Sequence, residues 1–333
     1  MKKPNISIVI PIYNVSEYIE DCLQSVAAQT YEGSLECLLI DDCGQDDSMD
    51  KAKRLIDNYK GAIVWRTVRH LQNGGQSAAR NTGMKEMTGE YVYFLDSDDM
   101  IAPNCIEALA KTLEEDDYDM IAGNYSVVPE GSFPIVARPQ SDVLCGDEIM
   151  DSYNKQHLYV MPWNKLYSIS FLRKNKLQFL EKLYLEDCLW SFQVYSIANR
   201  IRFVDEPTYI YRVREGSTMT AMDVKRKLGF MVRIAQEMVE YENIHGIAQK
   251  SNVNNCFQGW IENYYKYVRE NLDEPQQKTA YLELRGRVPF KWRNACVADG
   301  GKMKWQIRDL HWMLSPALGY CLYGNLMKII HRK

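Results

Sequence analysis

Short apolar runs and amphipathic stretches alternate through the first third of this chain. Ile6–Ile10, Leu35–Ile40, Ile63–Val68, Tyr91–Leu95 and Asp119–Gly123 are β-rich and read as strands. Between them, Ser16–Gln29 reads as a helix, with Ser16 as N-cap and Ile19, Leu23 and Val26 on one face. Asp47–Tyr59, Gln76–Met87 and Pro103–Glu115 are helical in the same way. This alternation predicts an α/β fold, a mostly parallel sheet with helices on both faces. From about 125 to 220, short strands mix with helices, punctuated by Pro129–Ser132 and Pro134. From Asp223 to about Gly286 the pattern turns helical. Met231, Ile234, Ala235, Met238 and Val239 form one apolar stripe, and Trp260, Ile261, Tyr264, Tyr265 and Val268 another. A boundary near 220 divides an α/β part, 1–220, from a helical part, 221–333.

Composition narrows the class. Of 333 residues, 46% are hydrophobic and 25% charged, as in ordinary globular proteins. No apolar run reaches the roughly 18 residues of a membrane-spanning helix. The stretch Met1–Pro11 is too short in its apolar run, and too soon broken by Pro11, for a signal peptide, so a first strand is expected. Nine scattered cysteines, never spaced as C-x-x-C, favour a reducing cytoplasm over a disulfide framework or a zinc site.

Candidate chemistry gathers where strands end. Tyr91–Leu95 runs into Asp96-Ser97-Asp98-Asp99, three acids within four positions. Such acids repel one another unless a positive group sits between them. Ligands of open α/β sheets bind outside the carboxyl ends of the strands. Mg²⁺ or Mn²⁺ takes one or two carboxylates plus substrate phosphates, which suits this place. The alternative is a helix start, with Ser97 or Asp98 as N-cap and Pro103 soon after. The second strand ends at Asp41-Asp42. Asp42 can accept hydrogen bonds from a nucleotide base or ribose, while Asp46 or Asp47 suits a cap. The first strand runs into Pro11-Ile12-Tyr13-Asn14, with Glu17 following, and no G-x-G-x-x-G accompanies it. Asn73–Gly83 joins a glycine turn to a helix. Arg80 there either meets a diphosphate or pairs with the strand-end acids, and both readings stay open.

The ordered set I-S-I-V-I-P-I-Y-N, D-D-C-G-Q-D-D-S, N-G-G-Q-S-A-A-R-N-T-G and F-L-D-S-D-D-M-I-A-P resembles the family 2 inverting glycosyltransferases of the GT-A fold, over roughly residues 5–215. By that resemblance Asp98 is the metal ligand and Asp96 contacts metal or ribose. Asp42 reads the base, usually uracil, and Pro11 and Tyr13 shape the nucleotide pocket. Asn14, Glu17, Asn73, Gly75, Arg80 and Ser97 complete the expected donor site. Trp163-Asn164-Lys165-Leu166-Tyr167 is similar to a box of bacterial polysaccharide glycosyltransferases. Glu186-Asp187 is similar to their E-D motif, in which an acid takes the acceptor proton. Asp187 is the expected base, with Glu186 second. The other reading of this pair is acids placed at a helix N-terminus by the macrodipole. Tyr209–Thr218 resembles a Y-R-x-R-x-G-S segment. Trp163, Asn164, Lys165, Arg212 and Arg214 are thus expected at the acceptor. Cys43, Gly44 and Gln45 depart from the usual D-D-G-S-T-D, and Gln76 stands at a commonly apolar position.

The resemblance implies an inverting, metal-dependent transfer of one hexose or N-acetylhexosamine from a nucleotide sugar, most often UDP-linked, with Mn²⁺ or Mg²⁺. A Q-x-x-R-W motif of processive synthases is absent from the sequence. The expected acceptor is a glycan hydroxyl, carried on undecaprenyl diphosphate for a bacterial capsule, O-antigen or other surface polysaccharide. An inert sugar-nucleotide binder or scaffold is the competing class. A sugar-1-phosphate nucleotidyltransferase would need a G-x-G-x-R loop where Pro11–Asn14 stands. The net charge of −4 hides ten basic against two acidic residues from Arg285 onward. With Trp292, Trp305, Trp312, Tyr320 and Tyr323 nearby, this tail reads as a peripheral anchor on an anionic inner membrane face, or as a terminal helix packed on the body. No nucleic-acid partner is expected.

Overall fold

The computed structural model describes residues 3–114, 116–214, 223–290 and 309–330. The chain divides into two compact units, residues 1–217 and 218–333.

The first unit is a sheet with flanking helices. Its first half strictly alternates β1 (Ile6–Ile12), α1 (Ile19–Ala27), β2 (Leu35–Asp41), α2 (Ser48–Asn58), β3 (Val64–Arg69), α3 (Gln76–Glu86) and β4 (Tyr91–Phe94). The four strands lie parallel in the order β3-β2-β1-β4, with Ile8 between Cys37 and Tyr93. β1 and β2 are buried almost throughout, as their unbroken apolar runs require. β3 at the edge alternates exposed and half-buried positions.

The second half adds β5 (Met100–Ile101), α4 (Cys105–Lys111), β6 (Met120–Val128), β7 (Val143–Cys145), α5 (Asp147–Asn154), β8 (Lys165–Ser168), α6 (Ile169–Lys174), α7 (Glu186–Ile197) and β9 (Arg200–Arg212). Here β8 runs antiparallel to both β4 and β6, while β6 and β9 pair in parallel. The sheet as a whole is therefore mixed, and its parallel order belongs to residues 6–94. One boundary also needs correction. α1 begins at Ile19, not at Ser16, because the Ser16 hydroxyl is bonded to Asp47 and receives Lys51 Nζ at 2.9 Å.

The second unit is helical: α8 (Val224–His245), α9 (Ser251–Asn271), α10 (Glu274–Arg287) and α11 (Pro316–Ile330). Asp223 caps α8 through Arg226 N, and Gly246 ends it at φ +66°. Asp273 and Gln276 close a capping box on α10. Both apolar stripes face inward, with Trp260 half-buried and the other members buried. Among the described residues no helix is long and apolar enough to cross a membrane. Trp292, Trp305 and the basic residues Lys291, Arg293, Lys302, Lys304, Arg308, Arg332 and Lys333 lie outside the described residues. Trp312 and Tyr323 are buried, Trp312 under the Arg285 guanidinium and Tyr323 against Tyr265 at 4.3 Å. Those two rings are occupied by packing within this unit.

Gly83 fixes how closely α3 lies on β1. A Cβ added there would collide with both methyl carbons of Val9, a residue with no exposure. Alanine in a helix interior normally gains up to about 1 kcal/mol over glycine. At Gly83 the overpacking cost of about 1–3 kcal/mol reverses that sign. Gly83→Ala should therefore lower the urea midpoint of the first unit.

Candidate active site

The acids at the end of β4 divide by direction. Asp99 is 1% exposed and points inward, accepting from Tyr209 Oη at 2.6 Å and Arg212 N at 2.7 Å. Burial, with Asp98 and Asp96 beside it, pushes its pKa well above the usual carboxylate range. Asp99 thus ties β9 to the strand end. Asp98 stays half-buried, with Oδ2 held by Arg214 Nε at 2.7 Å. Asp96 Oδ1 accepts from Arg80 at 2.8 Å and from Gln76 Nε2 at 2.9 Å. Burial and the charge of Asp98 raise the Asp96 pKa, against the pull of Arg80. Ser97 between them is buried.

Arg80 resolves the alternative left open by the sequence. It is 1% exposed, and its second terminal nitrogen donates to Glu186 Oε1 at 3.0 Å. Its guanidinium lies 5.2 Å from the Phe179 ring. It is therefore the partner of the strand-end acids rather than a free diphosphate ligand, which corrects its place in the expected donor site. Burial opposes its charge, but Asp96 and Glu186 outweigh that and raise its pKa. One planar cation so joins the β4 terminus to the first residue of α7.

At that first turn, Leu185 takes a left-handed conformation at φ +63°, and Glu186 and Asp187 follow. Asp187 Oδ1 accepts from Cys188 N at 2.9 Å. Desolvation first, and then the negative charge of Glu186, push the Asp187 pKa up to about 6, with Arg80 opposing. A carboxyl poised near neutrality has the properties of a general base.

Asp42 also turns out differently. It is 2% exposed, and its carboxylate is filled by His70 Nδ1 at 2.7 Å, Asn73 Nδ2 at 3.0 Å, Gly74 N at 2.7 Å and Gly75 N at 2.8 Å. Asn73 and Gly75 are thus engaged in the turn that Asp42 holds. Asp41, one residue earlier, is also buried and accepts from Cys43 N at 3.0 Å through Oδ1. It lines a cavity of about 160 Å³ with Asn14, Gly44 and Arg69, where Arg69 Nε lies 3.4 Å from its Oδ2. Only the pairing of β2 with β3 brings Arg69 there, and no local sequence signal announces that. Asn14 Oδ1 accepts from Gln45 N at 2.7 Å. Pro11 is half-buried, and Tyr13 and Glu17 are exposed near this mouth of the sheet.

The W-N-K box is buried. Trp163 is 2% exposed and stacks on Tyr209 at 4.3 Å. Asn164 joins three strands, accepting from Tyr93 Oη at 3.1 Å and Thr208 Oγ1 at 2.9 Å and donating to Asn124 O at 2.8 Å. Lys165 is 1% exposed and donates to the carbonyls of Tyr159 and Met161. Burial pushes its pKa well down, with Asp187 opposing. All three are thus buried among the strands rather than exposed at the surface. Arg212 is bonded to Asp21 at 2.9 Å and Arg214 to Asp98, both near the Tyr18 ring.

A family model described as glycosyl transferase family 2 matches residues 7–176. The chain belongs to that family. It is 31% identical over 227 residues to the glycosyltransferase GlyG of Streptococcus pneumoniae, covering 64% of this chain and 72% of GlyG. It is 25% identical over 300 residues to the poly(ribitol-phosphate) beta-N-acetylglucosaminyltransferase TarS of Staphylococcus aureus, covering 85% of this chain and 49% of TarS. The chain thus spans about half the length of TarS. A crystal structure of TarS residues 1–349 in complex with UDP-GlcNAc superposes with a TM-score of 0.72 at 22% identity, over 97% of this chain and 92% of that one. The fold is therefore that of GT-A enzymes, and the chain is a glycosyltransferase.

The residues fit a hard divalent cation in part. Among the described residues no group of three His, Cys, Asp or Glu could hold a metal alone. Asp96 and Asp98 each use one oxygen in the bonds above, leaving a second carboxylate oxygen apiece, the donor number such ions take when phosphates supply the rest.

Arg80 carries a stability prediction. Removing one partner of a buried ion network costs about 3–5 kcal/mol. Arg80→Met should destabilise the first unit by an amount of that order, read as a lowered thermal midpoint, and abolish transfer. Arg80→Lys should restore little of either, because an ammonium cannot fork between two carboxylates.

Proposed function

We propose that this glycosyltransferase moves a single N-acetylhexosamine or hexose from a UDP-sugar to a hydroxyl of a glycan acceptor, with inversion and with Mn²⁺ or Mg²⁺. The observation that carries the reading is Asp187, a carboxyl pushed up to about 6 and set one residue from the acid that Arg80 locks to the β4 terminus. Inversion by direct displacement needs only one base on the face opposite the leaving group. Asp187 takes the proton from the acceptor hydroxyl, and Glu186 stays paired with Arg80. Asp98 and Asp96 would hold the cation, which would stabilise the charge developing on the leaving group. The cavity of Asp41, Asn14 and Arg69 takes the base and ribose. The name of TarS and the UDP-GlcNAc in its crystals support an N-acetylglucosamine donor.

Residues 1–220 serve as the catalytic domain. The helical remainder and its basic tail hold the enzyme at the cytoplasmic face of a bacterial membrane, where it extends a lipid-diphosphate-linked surface glycan. The excess of basic residues from Arg285 onward supports this location.

Two measurements test the chemistry. Asp187 works only when ionised, so kcat/KM should fall tenfold per pH unit below about 6 and level off above it. Asp187→Asn should cost roughly 10²–10⁴-fold in transfer with donor affinity nearly unchanged. Equal loss of donor affinity would move Asp187 into the nucleotide site. Separately, Asp98→Ala should remove the dependence of donor binding on Mn²⁺ in calorimetry, and excess chelator should reproduce that loss in the unaltered enzyme.

A further inference from the structure

The end of β9 sets two arginines beside the strand-end acids, and the two are held differently. Arg212 is fixed twice, by its backbone N on Asp99 Oδ1 at 2.7 Å and by Nη2 on Asp21 Oδ2 at 2.9 Å. Arg214, two residues on, is fixed once. Its Nε donates to Asp98 Oδ2 at 2.7 Å, and Asp98 is its one ion-pair partner among the described residues. Tyr18, just before α1, backs both guanidinium groups, 5.2 Å from that of Arg212 and 5.3 Å from that of Arg214.

The Arg214–Asp98 pair is unlike the Arg80 bridge. The Arg80 side chain is 2% exposed and spans two carboxylates, so it cannot leave without stranding buried charge. The side chains of Arg214 and Asp98 are 28% and 24% exposed and share a single bond. An ion pair that solvent reaches in this way contributes little to stability and exchanges partners at small cost. Asp98 is also the acid that would hold the divalent cation. A hard cation and a guanidinium cannot share one carboxylate without like-charge repulsion between them.

We propose that Arg214 is the exchangeable counter-ion of Asp98 and competes with the divalent cation for that carboxylate. The proposal rests on the reading that Asp98 holds the metal of an enzyme that uses a nucleoside diphosphate sugar. Arg214 keeps the cation weakly bound on its own. A nucleoside diphosphate brings negative charge that offsets both positive groups at once, so the cation binds more tightly beside it. Metal and nucleotide thus assist one another, and by linkage the assistance is equal in both directions. Arg214 acts through Asp98 as a positioning residue, and its loss uncouples the two ligands.

The test is a titration of the full chain with Mn²⁺, with free Mn²⁺ read by electron paramagnetic resonance, in the absence and in the presence of UDP. The same titrations use Arg214→Gln, which removes the charge, Arg214→Lys, which keeps it, and Asp98→Asn, which removes the carboxylate. Circular dichroism reports that each variant is folded. Arg214→Gln should bind Mn²⁺ alone about five- to tenfold more tightly than the unaltered protein, and the gain brought by UDP should shrink by a similar factor. Arg214→Lys should stay closer to the unaltered protein, and Asp98→Asn should bind Mn²⁺ poorly with or without UDP. An arginine that merely buttressed the site would give the opposite sign, because its loss would weaken the metal. Equal or weaker Mn²⁺ binding by Arg214→Gln, with Asp98→Asn still impaired, overturns the proposal and leaves the metal reading standing. Mn²⁺ binding that Asp98→Asn does not impair refutes the metal reading, and the proposal falls with it.

Discussion

One guanidinium decides how this site can exist. Four acids, Asp96, Asp98, Glu186 and Asp187, come together from two elements far apart in sequence, and they cannot all stay ionised there without compensation. Arg80 supplies it from a position 1% exposed, with one nitrogen on Asp96 and another on Glu186. A buried charge of this kind persists only when its partners are well aligned. The alignment in turn fixes where α7 begins relative to β4. The left-handed turn at Leu185 and the closeness of Glu186 to the acids at the end of β4 go with this bridge.

The strand-end acids then share out two tasks. Asp42 and Asp99 are spent inward. Asp42 closes the Asn73–Gly75 turn, and Asp99 anchors Tyr209 and the end of β9. Asp96 and Asp98 each keep one carboxylate oxygen outside the bonds described above. Trp163 supports the division from behind, since it stacks on the Tyr209 ring whose hydroxyl holds Asp99.

The parallel half of the sheet was legible because each apolar run and each amphipathic stretch obeyed its own period. The mixed half was not, since a four-residue strand such as Lys165–Ser168 has too few positions to show direction. In the site, the types and order of the acids were readable, but their orientation was not. Asp41 and Asp42 are neighbours that a strand sends to opposite sides, and sequence alone gave no reason to prefer the first. The Arg80 bridge spans 106 residues to Glu186, so only the fold could choose between its two readings. The W-N-K box carried a signal of importance without a signal of exposure.

The most direct test of this account is a crystal structure of the full chain with a UDP-sugar and Mn²⁺. The account places the base and ribose at Asp41, Asn14 and Arg69, the diphosphate and metal at Asp98 and Asp96, and Arg80 still bridging Asp96 and Glu186, with Asp187 facing the anomeric carbon. A nucleotide bound directly by Arg80 with the Glu186 pairing broken, or a donor lodged away from the ends of β1, β2 and β4, would contradict it.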